Sequence, residues 1–351
     1  MNSLLLAERH SLAEKLRAQK GEISVVASSD FLDRHPDFLV RFGERARVHY
    51  IEDTVFHLDF LAGAIETGSE QPFIEYARWT MRMLQARHIS PDCVAENFTD
   101  IATRLAPFLN EREHAVASAC LAAGAAAVQE VAVPGATSDQ GPALAQARTH
   151  FLDAILQGQR KAAAAIAQDA AGQSHELLDV YVEIFQESLY QVGRLWESNQ
   201  ISVADEHMAT AITQYVIASA SPKVRPAVER RGRVVITGVS GELHQVGALM
   251  VADVLEAQGF DVRFLGTNLP NDAIIQAVID HKAEVLGISV TMLFNLSTAV
   301  ALVTEARARL GDRMPRLMLG GAAFKSSPAL AAELGAIGVG NDLRSAAQLM
   351  A

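Results

Sequence analysis

Cysteine is scarce in this sequence, which has only Cys93 and Cys120 among its 351 residues. The two form no CxxC pair and are too few for a disulfide framework. A disulfide-stapled secreted domain is therefore excluded, and a reducing cytoplasm is favoured. Uncharged apolar runs of about 18 residues are also absent, so no membrane span is predicted. Residues 1–21 mix Leu and Ala with charged side chains, which predicts an amphipathic helix and no secretion signal.

Concentrated positive charge is lacking as well. The chain has 30 Lys and Arg against 41 Asp and Glu, a formal net charge of −11. Nucleic-acid binding normally needs clustered Lys and Arg that displace counterions from phosphates. The densest basic stretches are residues 41–47, which Glu44 interrupts, and residues 223–233. Direct binding to nucleic acid is therefore not expected.

Apolar residues, by contrast, make up 50% of the chain, enough for two or three globular domains. Residues 1–118 carry apolar side chains three and four positions apart, which predicts an all-α domain. Residues 119–141, rich in Ala, Gly and Val, indicate a linker whose first part is compatible with an extension of the preceding helix. Residues 142–222 are again helical in pattern and predict a four-helix bundle.

The hydrophobic period changes in residues 230–351. Short apolar strands alternate with helices, which predicts a doubly wound parallel α/β sheet of the flavodoxin-like or Rossmann-like type, covered on both faces. The predicted strands are residues 234–239, 261–265, 285–290 and 316–320. Ligands of such sheets bind beyond the carboxyl ends of the strands. We therefore expect a binding site in the loops that follow these strands.

The loop after the first predicted strand reads Gly241-Glu242-Leu243-His244-Gln245-Val246-Gly247. An imidazole at this edge can coordinate a metal through one ring nitrogen. Glu242 can orient the ring by accepting the N–H of the other nitrogen. Gly247 allows a bulky group to approach the start of the next helix. These residue types predict a metal-binding histidine, His244, with Glu242 as its partner.

Two later loops carry further small or polar residues. Ser289 and Thr291 place hydroxyls two residues apart on one side of a strand end. The pair Gly320-Gly321 lacks side chains and leaves room for a planar group between sheet and helix. The three loops together predict a site for a large ligand that contains a metal.

The domain resembles the cobalamin-binding domain of methionine synthase and its relatives through three ordered motifs, Glu242-x-His244-x-x-Gly247, Ser289-x-Thr291 and Gly320-Gly321. The resemblance implies that His244 replaces the cofactor's own dimethylbenzimidazole as the lower ligand to cobalt. It also implies that the nucleotide tail runs past the Ser/Thr pair and the paired glycines. From the residues alone, the alternative is a generic Rossmann-like domain in which His244 is a surface residue.

In the predicted helical bundle, Trp196 is followed ten residues later by Glu206 and then by His207. This arrangement resembles the helical cap of B12-dependent photoreceptors of the CarH type, which also carry Glu at the position of Glu242. The resemblance implies that Trp196 shields an adenosyl group, that Glu206 hydrogen-bonds its ribose, and that His207 lies in the same pocket. Alternatively, Trp196 packs in an ordinary helical core and Glu206 compensates a helix dipole.

One position departs from the CarH pattern. CarH-type photoreceptors have a histidine directly after the tryptophan, and it binds cobalt after photolysis; here that position is Glu197. The bis-histidine light product is therefore not expected at this site. Either His207 or another residue substitutes, or water remains the upper ligand.

The first block shows no helix-turn-helix of the kind that precedes the cap in CarH-type regulators. Its segments 56–61 and 73–79 resemble the globin-like helical modules of photocobilins, which pair cobalamin with biliverdin. The resemblance predicts a bilin-binding module of aromatic, cationic and polar side chains, namely His57, Tyr76, Arg78, Trp79 and Arg82. The alternative is a helical dimerisation module whose aromatic residues form its core. Cys93 is not expected to attach a bilin covalently.

The resemblances predict a light sensor that binds adenosylcobalamin and is not an enzyme. Loss of the adenosyl group would let the cap shift against the α/β domain. Because the chain ends at Ala351, just after the cobalamin domain, the expected output is self-association, as a homodimer, or binding of an effector protein. Two alternatives remain open: a corrinoid methyl carrier of a methyltransferase system, and a cobalamin sensor or store that does not respond to light.

Overall fold

The structure, a computed structural model, describes residues 4–130, 144–172, 176–220, 231–340 and 342–350. The chain divides into two compact units. The first unit is Met1–Val133 together with Met292–Ser297, and the second unit is Pro134–Thr291 together with Thr298–Ala351. Among the helices of the described residues, none combines the length and the apolar character needed to cross a membrane.

The first unit is helical, as predicted, and local signals explain where its helices begin and end. Gly68 adopts a left-handed φ of 75° and ends α3, while Ser90 caps α5 by accepting the backbone N–H of Asp92. The helices are α1 Leu6–Arg34, α2 Pro36–Phe42, α3 Arg45–Thr67, α4 Gln71–Gln85, α5 Pro91–Leu105 and α6 Glu111–Gln129.

Two of these helices differ from the sequence expectation in length. The amphipathic helix predicted over residues 1–21 continues to Arg34. Helix α6 runs to Gln129, so the first part of the predicted linker 119–141 is helical. The later part of that linker, from residue 131, lies outside the described residues. The core of this unit joins α1 and α3 to the aromatic residues of α4 and α5, and its fully buried members include Leu12, Leu16, Leu58, Leu61, Phe73 and Phe98.

The second unit begins with the predicted four-helix bundle, which we call the cap. Its third helix contains a π-helical stretch, Tyr181–Gln186, between two α-helical parts. The elements are α7 Ala145–Leu156, α8 Arg160–Gly172, α9 Leu177–Val180 with the π-helical stretch and α10 Glu187–Glu197, and α11 Val203–Ala220. Aromatic and aliphatic side chains such as Phe151, Phe185 and Val216 fill the interior of the cap.

The remainder of the second unit is a parallel sheet in the order β2-β1-β3-β4-β5. The strands are β1 Gly232–Gly238, β2 Phe260–Phe264, β3 Val285–Ser289, β4 Arg316–Gly320 and β5 Ala336–Gly340. The helices are α12 Val246–Ala257, α13 Asn271–His281, α14 Leu296–Leu310, α15 Ala322–Lys325, α16 Pro328–Glu333 and α17 Leu343–Leu349. The four predicted strands are confirmed within two residues at each end, and the sequence reading missed β5, α15 and α17.

The cap packs on one side of this α/β domain through an apolar layer. Cap residues share one hydrophobic cluster with Val246, Met250 and Val254 of α12 and with Leu343 of α17. Within the layer, the buried hydroxyl of Tyr181 donates a hydrogen bond to Oδ2 of Asp253 at 2.7 Å. Because Tyr181 lies in the π-helical stretch, this bond fixes an irregular part of the cap to α12. The turn between α10 and α11 therefore belongs to the same compact unit as the α/β domain.

Candidate functional site

Three strand ends lie level with each other at the carboxyl edge of the sheet. Ser289, the last residue of β3, is the Cα partner of Gly238 in β1 and of Gly320 in β4. The loops that follow these residues therefore leave the sheet at the same edge, where parallel sheets bind ligands. The sheet topology thus brings the three predicted motifs to one place.

The first loop holds a close pair formed by His244 and Glu242. The His244 Nδ1 atom lies 2.6 Å from Glu242 Oε1, and the same oxygen accepts the backbone N–H groups of His244 at 3.0 Å and Leu243 at 3.1 Å. The other oxygen, Oε2, accepts the backbone N–H of Thr291 at 2.9 Å. The Glu242 side chain is fully buried, whereas that of His244 is 56% exposed. A buried carboxylate is thus supplied with several donors and holds an exposed imidazole.

This contact fixes the chemistry of the His244 ring. A carboxylate that accepts the Nδ1–H favours the tautomer in which Nε2 carries the lone pair, so Nε2 is the nitrogen that can coordinate a metal. The hydrogen bond from the ring to Glu242 raises the pKa of His244, and burial opposes this rise. The negative charges of Glu242 and Glu206 also raise this pKa.

Glu206 lies in the first turn of α11, where a tight turn from α10 begins the helix. Asn199 in that turn adopts a left-handed φ of 57°. Ser202 caps the helix: its hydroxyl accepts the backbone N–H of Asp205 at 3.2 Å, and its own N–H donates to Asp205 Oδ2 at 2.9 Å. Glu206 accepts a hydrogen bond from Thr210 Oγ1 at 3.0 Å. The turn therefore places Glu206 at the start of α11, and Thr210 holds its carboxylate.

The other two predicted cap residues flank this turn. His207 Nδ1 lies 2.6 Å from Glu206 Oε2, and the His207 side chain is 74% exposed. Trp196, at the end of α10, is half-buried and does not belong to the fully buried core of the cap. Its partial exposure differs from that of the large buried aromatics of the cap, Tyr181 and Phe185.

Glycine is present at the three motif positions for different physical reasons. A Cβ atom at Gly247 would meet no atom within 4 Å, and at Gly320 the nearest atom would be the carbonyl oxygen of Gly340 at 3.5 Å. Gly321 instead has a φ of 90°, and a Cβ there would lie 2.2 Å from the carbonyl oxygen of Val290. Gly247 therefore faces open space and a side chain at Gly320 would make only ordinary contact, whereas the backbone itself requires glycine at position 321.

Sequence reasoning missed one residue that shapes the first loop. Asn268, with a left-handed φ of 60°, accepts the backbone N–H of Gly241 through Oδ1 at 2.9 Å. Its own backbone N–H donates to the carbonyl of Val239 at 3.1 Å. Asn268 lies in the loop after β2, one of the loops at the carboxyl edge, and an Asn among turn residues was the available signal.

The arrangement fits a corrinoid. The donor set is a single exposed imidazole whose second nitrogen is held by a buried carboxylate, as a lower cobalt ligand requires. Gly247, beside this pair, faces open space. Ser289 and Thr291 are both half-buried at the same sheet edge. His244 would hold the cobalt, with Glu242 behind it.

The residues predicted for a bilin lie in the first unit. His57 and Tyr76 are buried, and His57 Nδ1 lies 2.8 Å from the Tyr76 hydroxyl. The Tyr76 ring stacks on Phe60 with ring centroids 3.7 Å apart, and the ring centroids of Trp79 and Tyr76 are 6.1 Å apart. Burial lowers the pKa of His57 to about 3, so this ring is neutral. The structure brings His57, Tyr76 and Trp79 into one aromatic cluster.

The two predicted cationic residues lie on the same helix, α4. Arg78 forms an ion pair with Glu130 at 3.1 Å and is partly exposed. Arg82, one turn further along α4, is half-buried. Phe56, in the segment that carries the photocobilin resemblance, is 49% exposed and is not part of the aromatic core.

Known protein families match both parts of the second unit. Residues 232–347 match the B12 binding domain, and residues 147–220 match a second family model that is also described as a B12 binding domain. The first match covers the sheet with the Glu242–His244 loop, and the second covers the cap.

Individual relatives match about half of this chain. Trimethylamine corrinoid protein 1 of Methanosarcina acetivorans is 24% identical over 176 residues, which is 48% of this chain and 80% of that protein. The HTH-type transcriptional repressor CarH of Myxococcus xanthus is 27% identical over 157 residues, which is 45% of this chain and 52% of CarH. The chain thus matches about half the length of CarH.

A solved structure supports the same fold. The monomethylamine corrinoid protein of Methanosarcina barkeri superposes with a TM-score of 0.53 at 20% sequence identity, over 59% of this chain and 98% of that protein. The confirmed fold is therefore a helical N-terminal region and a cap followed by a five-stranded parallel α/β domain.

Proposed function

We propose that this chain, a cobalamin-binding protein by its two B12 binding domains, is a light sensor that holds adenosylcobalamin through His244 as the lower cobalt ligand. The observation that carries the proposal is the exposed His244 ring, which the buried Glu242 carboxylate holds at 2.6 Å in the same compact unit as the cap that bears Glu206. When bound, adenosylcobalamin supplies a cobalt–carbon bond that green light breaks. The role of the protein is to hold the cofactor and to convert that event into a change of packing.

Glu242 prepares His244 for coordination. Its Oε1 holds the Nδ1–H at 2.6 Å and directs the Nε2 lone pair outward. Since Glu242 is buried and accepts several backbone N–H groups, its carboxylate is held beside the His244 ring. Ser289, Thr291, Gly320 and the open approach at Gly247 would receive the rest of the cofactor.

Trp196, Glu206 and His207 would cover the upper side. Trp196 offers a flat apolar surface for an adenine, and the Glu206 carboxylate suits paired sugar hydroxyls. These contacts exist only while the adenosyl group is bound. A group that binds one arrangement of the cap better than another shifts the equilibrium between them by that difference in binding free energy. Loss of such a group would therefore release the cap from the arrangement that the group favours.

The cap has a defined surface on which such a change can act. Its hydrophobic cluster with α12 and α17 includes the Tyr181–Asp253 hydrogen bond. Tyr181 and Trp196 lie on one continuous helical run, Leu177–Glu197, so a shift at the end of α10 would reach Tyr181 through the helix. We propose that the output is a change in homodimer formation or in the binding of an effector protein, with the chain itself acting in the cytoplasm and not as an enzyme.

The first unit would bind biliverdin as a second chromophore. This proposal rests on the photocobilin resemblance and on the cluster of His57, Tyr76 and Trp79. Arg78 and Arg82 would pair with the propionates, which requires Arg78 to exchange Glu130 for the ligand. A red-shifted absorbance band after addition of biliverdin supports the proposal, and a band that matches free biliverdin contradicts it.

A second candidate function is that of a corrinoid methyl carrier. It is favoured by the similarity to trimethylamine corrinoid protein 1, of which this chain covers 80%. A methyl carrier needs the lower-ligand histidine but not a cover for an adenosyl group. The fixed Glu206 and the half-buried Trp196 therefore favour the light sensor.

The test is illumination of the protein reconstituted with adenosylcobalamin in the dark. The absorbance spectrum and the size-exclusion elution volume are recorded before and after green light. The light sensor predicts that both change. A methyl carrier or a light-independent sensor predicts an unchanged elution volume after the same exposure.

A further inference from the structure

Glu242 has two oxygen atoms with different partners. Oε1 holds the His244 ring, and Oε2 accepts the backbone N–H of Thr291 at 2.9 Å. The side chain is fully buried, so its carboxylate cannot turn toward water when one of these partners moves. The carboxylate therefore ties the position of the His244 ring to the backbone at Thr291.

The residues that follow Thr291 along the chain belong to the first unit. Met292–Ser297, which we call the connecting segment, is part of the same compact unit as α1 to α6. It contains a short 3₁₀ turn, Leu293–Asn295, followed by the first residues of α14. Leu293 is 5% exposed and Leu296 is fully buried. A single peptide bond separates this segment from the residue that Glu242 holds.

The connecting segment fits closely against α3. A Cβ atom at Gly63 would lie 2.6 Å from the carbonyl oxygen of Leu293 and 2.9 Å from its Cγ. The ring of Phe294 contacts Phe60 edge-on, with centroids 5.5 Å apart at 87°. The connecting segment can therefore pack against α3 only because residue 63 has no side chain.

Phe60 continues the contact into the aromatic cluster of the first unit. Its ring stacks on Tyr76, with an interplanar angle of 11°, and the Tyr76 hydroxyl is hydrogen-bonded to His57. The contacts within the first unit therefore run from Phe294 through Phe60 to Tyr76 and His57, and the last two are among the residues proposed to bind a bilin. The contacts within the second unit run from His244 to Thr291.

We propose that the connecting segment transmits the ligand state of His244 to α3, with Glu242 as the positioning residue that links the two. Ligation of His244 fixes the ring and, through Glu242, the backbone of Thr291. The following residues, Leu293 and Phe294, then settle against Gly63 and Phe60. Because close-packed contacts have discrete arrangements, a small displacement at Thr291 is converted into a change of packing. The inference shares the cobalamin site at His244 with the proposed function, but it does not depend on light.

The test is amide hydrogen exchange of the full chain in the dark, without and with hydroxocobalamin. In the wild-type protein, cobalamin is expected to slow exchange in peptides that cover the connecting segment and residues 56–67 by about fivefold or more, the usual lower range of coupling between sites. Phe294→Ala removes the contact with Phe60, and Gly63→Ala displaces Leu293. Both variants are expected to bind hydroxocobalamin with the wild-type spectrum and to lose the slowing in residues 56–67.

Phe56→Ala is the matched control, since Phe56 lies on the same helix and is exposed. It is expected to keep the wild-type response. Slowing of residues 56–67 that persists in both Phe294→Ala and Gly63→Ala overturns the proposal, and so does a wild-type protein that binds cobalamin without any slowing there. Absence of a light response, by contrast, would contradict only the light-sensor proposal, because this experiment uses no light and no adenosyl group.

Discussion

Glu242 Oε1 lies 2.6 Å from His244 Nδ1, and the carboxylate is fully buried while the imidazole is exposed. A free surface histidine would have no such anchor. The pairing selects the tautomer with Nε2 available and makes the ring a better donor to a metal. The pairing therefore argues against the alternative in which His244 is an ordinary surface histidine of a Rossmann-like domain.

Replacement of Glu242 should weaken cobalamin binding without removing the ligand itself. In Glu242→Gln, a neutral amide replaces the acceptor of the His244 Nδ1–H, and its NH₂ group cannot accept the backbone donors that the carboxylate serves. We expect the affinity for hydroxocobalamin to fall by about 10- to 100-fold, as for other partners of metal-binding histidines. An absorbance titration measures it. Glu284→Gln, at an exposed position beside Arg233, is the control, and an equal loss in both variants would contradict this role.

The cap residues should distinguish between upper ligands. Glu206→Gln removes a carboxylate proposed to bind the ribose, which corresponds to about 1.5–3 kcal/mol for a hydrogen bond to a charged group. The affinity for adenosylcobalamin should therefore fall by about tenfold or more, while that for hydroxocobalamin stays near the wild-type value.

Trp196→Ala should show the same selectivity for adenosylcobalamin, with Tyr190→Ala as its control, because Tyr190 is an exposed aromatic on the same helix. Competition between the two cobalamins at equilibrium, in the dark, reports the ratio of their affinities. Equal losses for both cofactors would show that the cap does not contact the adenosyl group.

The cap should depend on a single buried hydrogen bond for part of its stability. Burial and the charge of Asp253 raise the pKa of Tyr181, so its hydroxyl remains protonated and donates to Asp253 Oδ2 at 2.7 Å. Tyr181→Phe removes this donor and should lower the free energy of unfolding by about 1–3 kcal/mol. Urea unfolding measures the change. Tyr190→Phe, at an exposed position, should have little effect, and equal stability of Tyr181→Phe and wild type would contradict the assignment.

The buried His57 should make the first unit sensitive to acid. Burial lowers its pKa from 6.5 to about 3, so the unfolded chain binds a proton that the folded chain does not between these values. Its contribution is fully present above pH 6.5 and is lost as the pH falls from 6.5 toward 3, by up to about 1.4 kcal/mol per pH unit. His57→Gln should reduce this slope. His49→Gln, exposed on the same helix, should retain it, and identical slopes in all three proteins would refute the interpretation.

The sequence predicted the parts of the fold that carry a strong local pattern. Three of the predicted strands, β1, β3 and β4, contain short apolar runs, while β2 alternates apolar and charged residues, and the ends of all four were predicted within two residues. Strand β5, in contrast, reads Ala-Ile-Gly-Val-Gly and lies at the edge of the sheet. Two glycines in five residues weaken a strand signal, and an edge strand needs less apolar surface. For this reason β5, and with it α17, was missed.

The site shows the same division between local and distant signals. The Glu242–His244 contact is a relation between residues two positions apart, so it was readable from the sequence. The bond from Thr291 to Glu242 uses a backbone N–H, which every residue but proline has, and it leaves no trace in the sequence. The fit of Leu293 against Gly63 joins residues far apart in the chain, and a single glycine within a helix does not reveal its neighbour. Gly321 was read as room for a ligand, whereas its φ of 90° and the nearby Val290 carbonyl require glycine for the backbone alone.

The central claim is that light acts on a cofactor held by His244. The most direct measurement is the absorbance spectrum of the protein with adenosylcobalamin, in the dark and after green light, for wild type and for His244→Ala. His150→Ala is the control, because His150 is also an exposed histidine in the second unit. The account predicts a base-off, His-on dark spectrum that changes with light in wild type and in the control, and loss of that dark spectrum in His244→Ala. A wild-type spectrum that light leaves unchanged, or a His244→Ala spectrum identical to wild type, would contradict it.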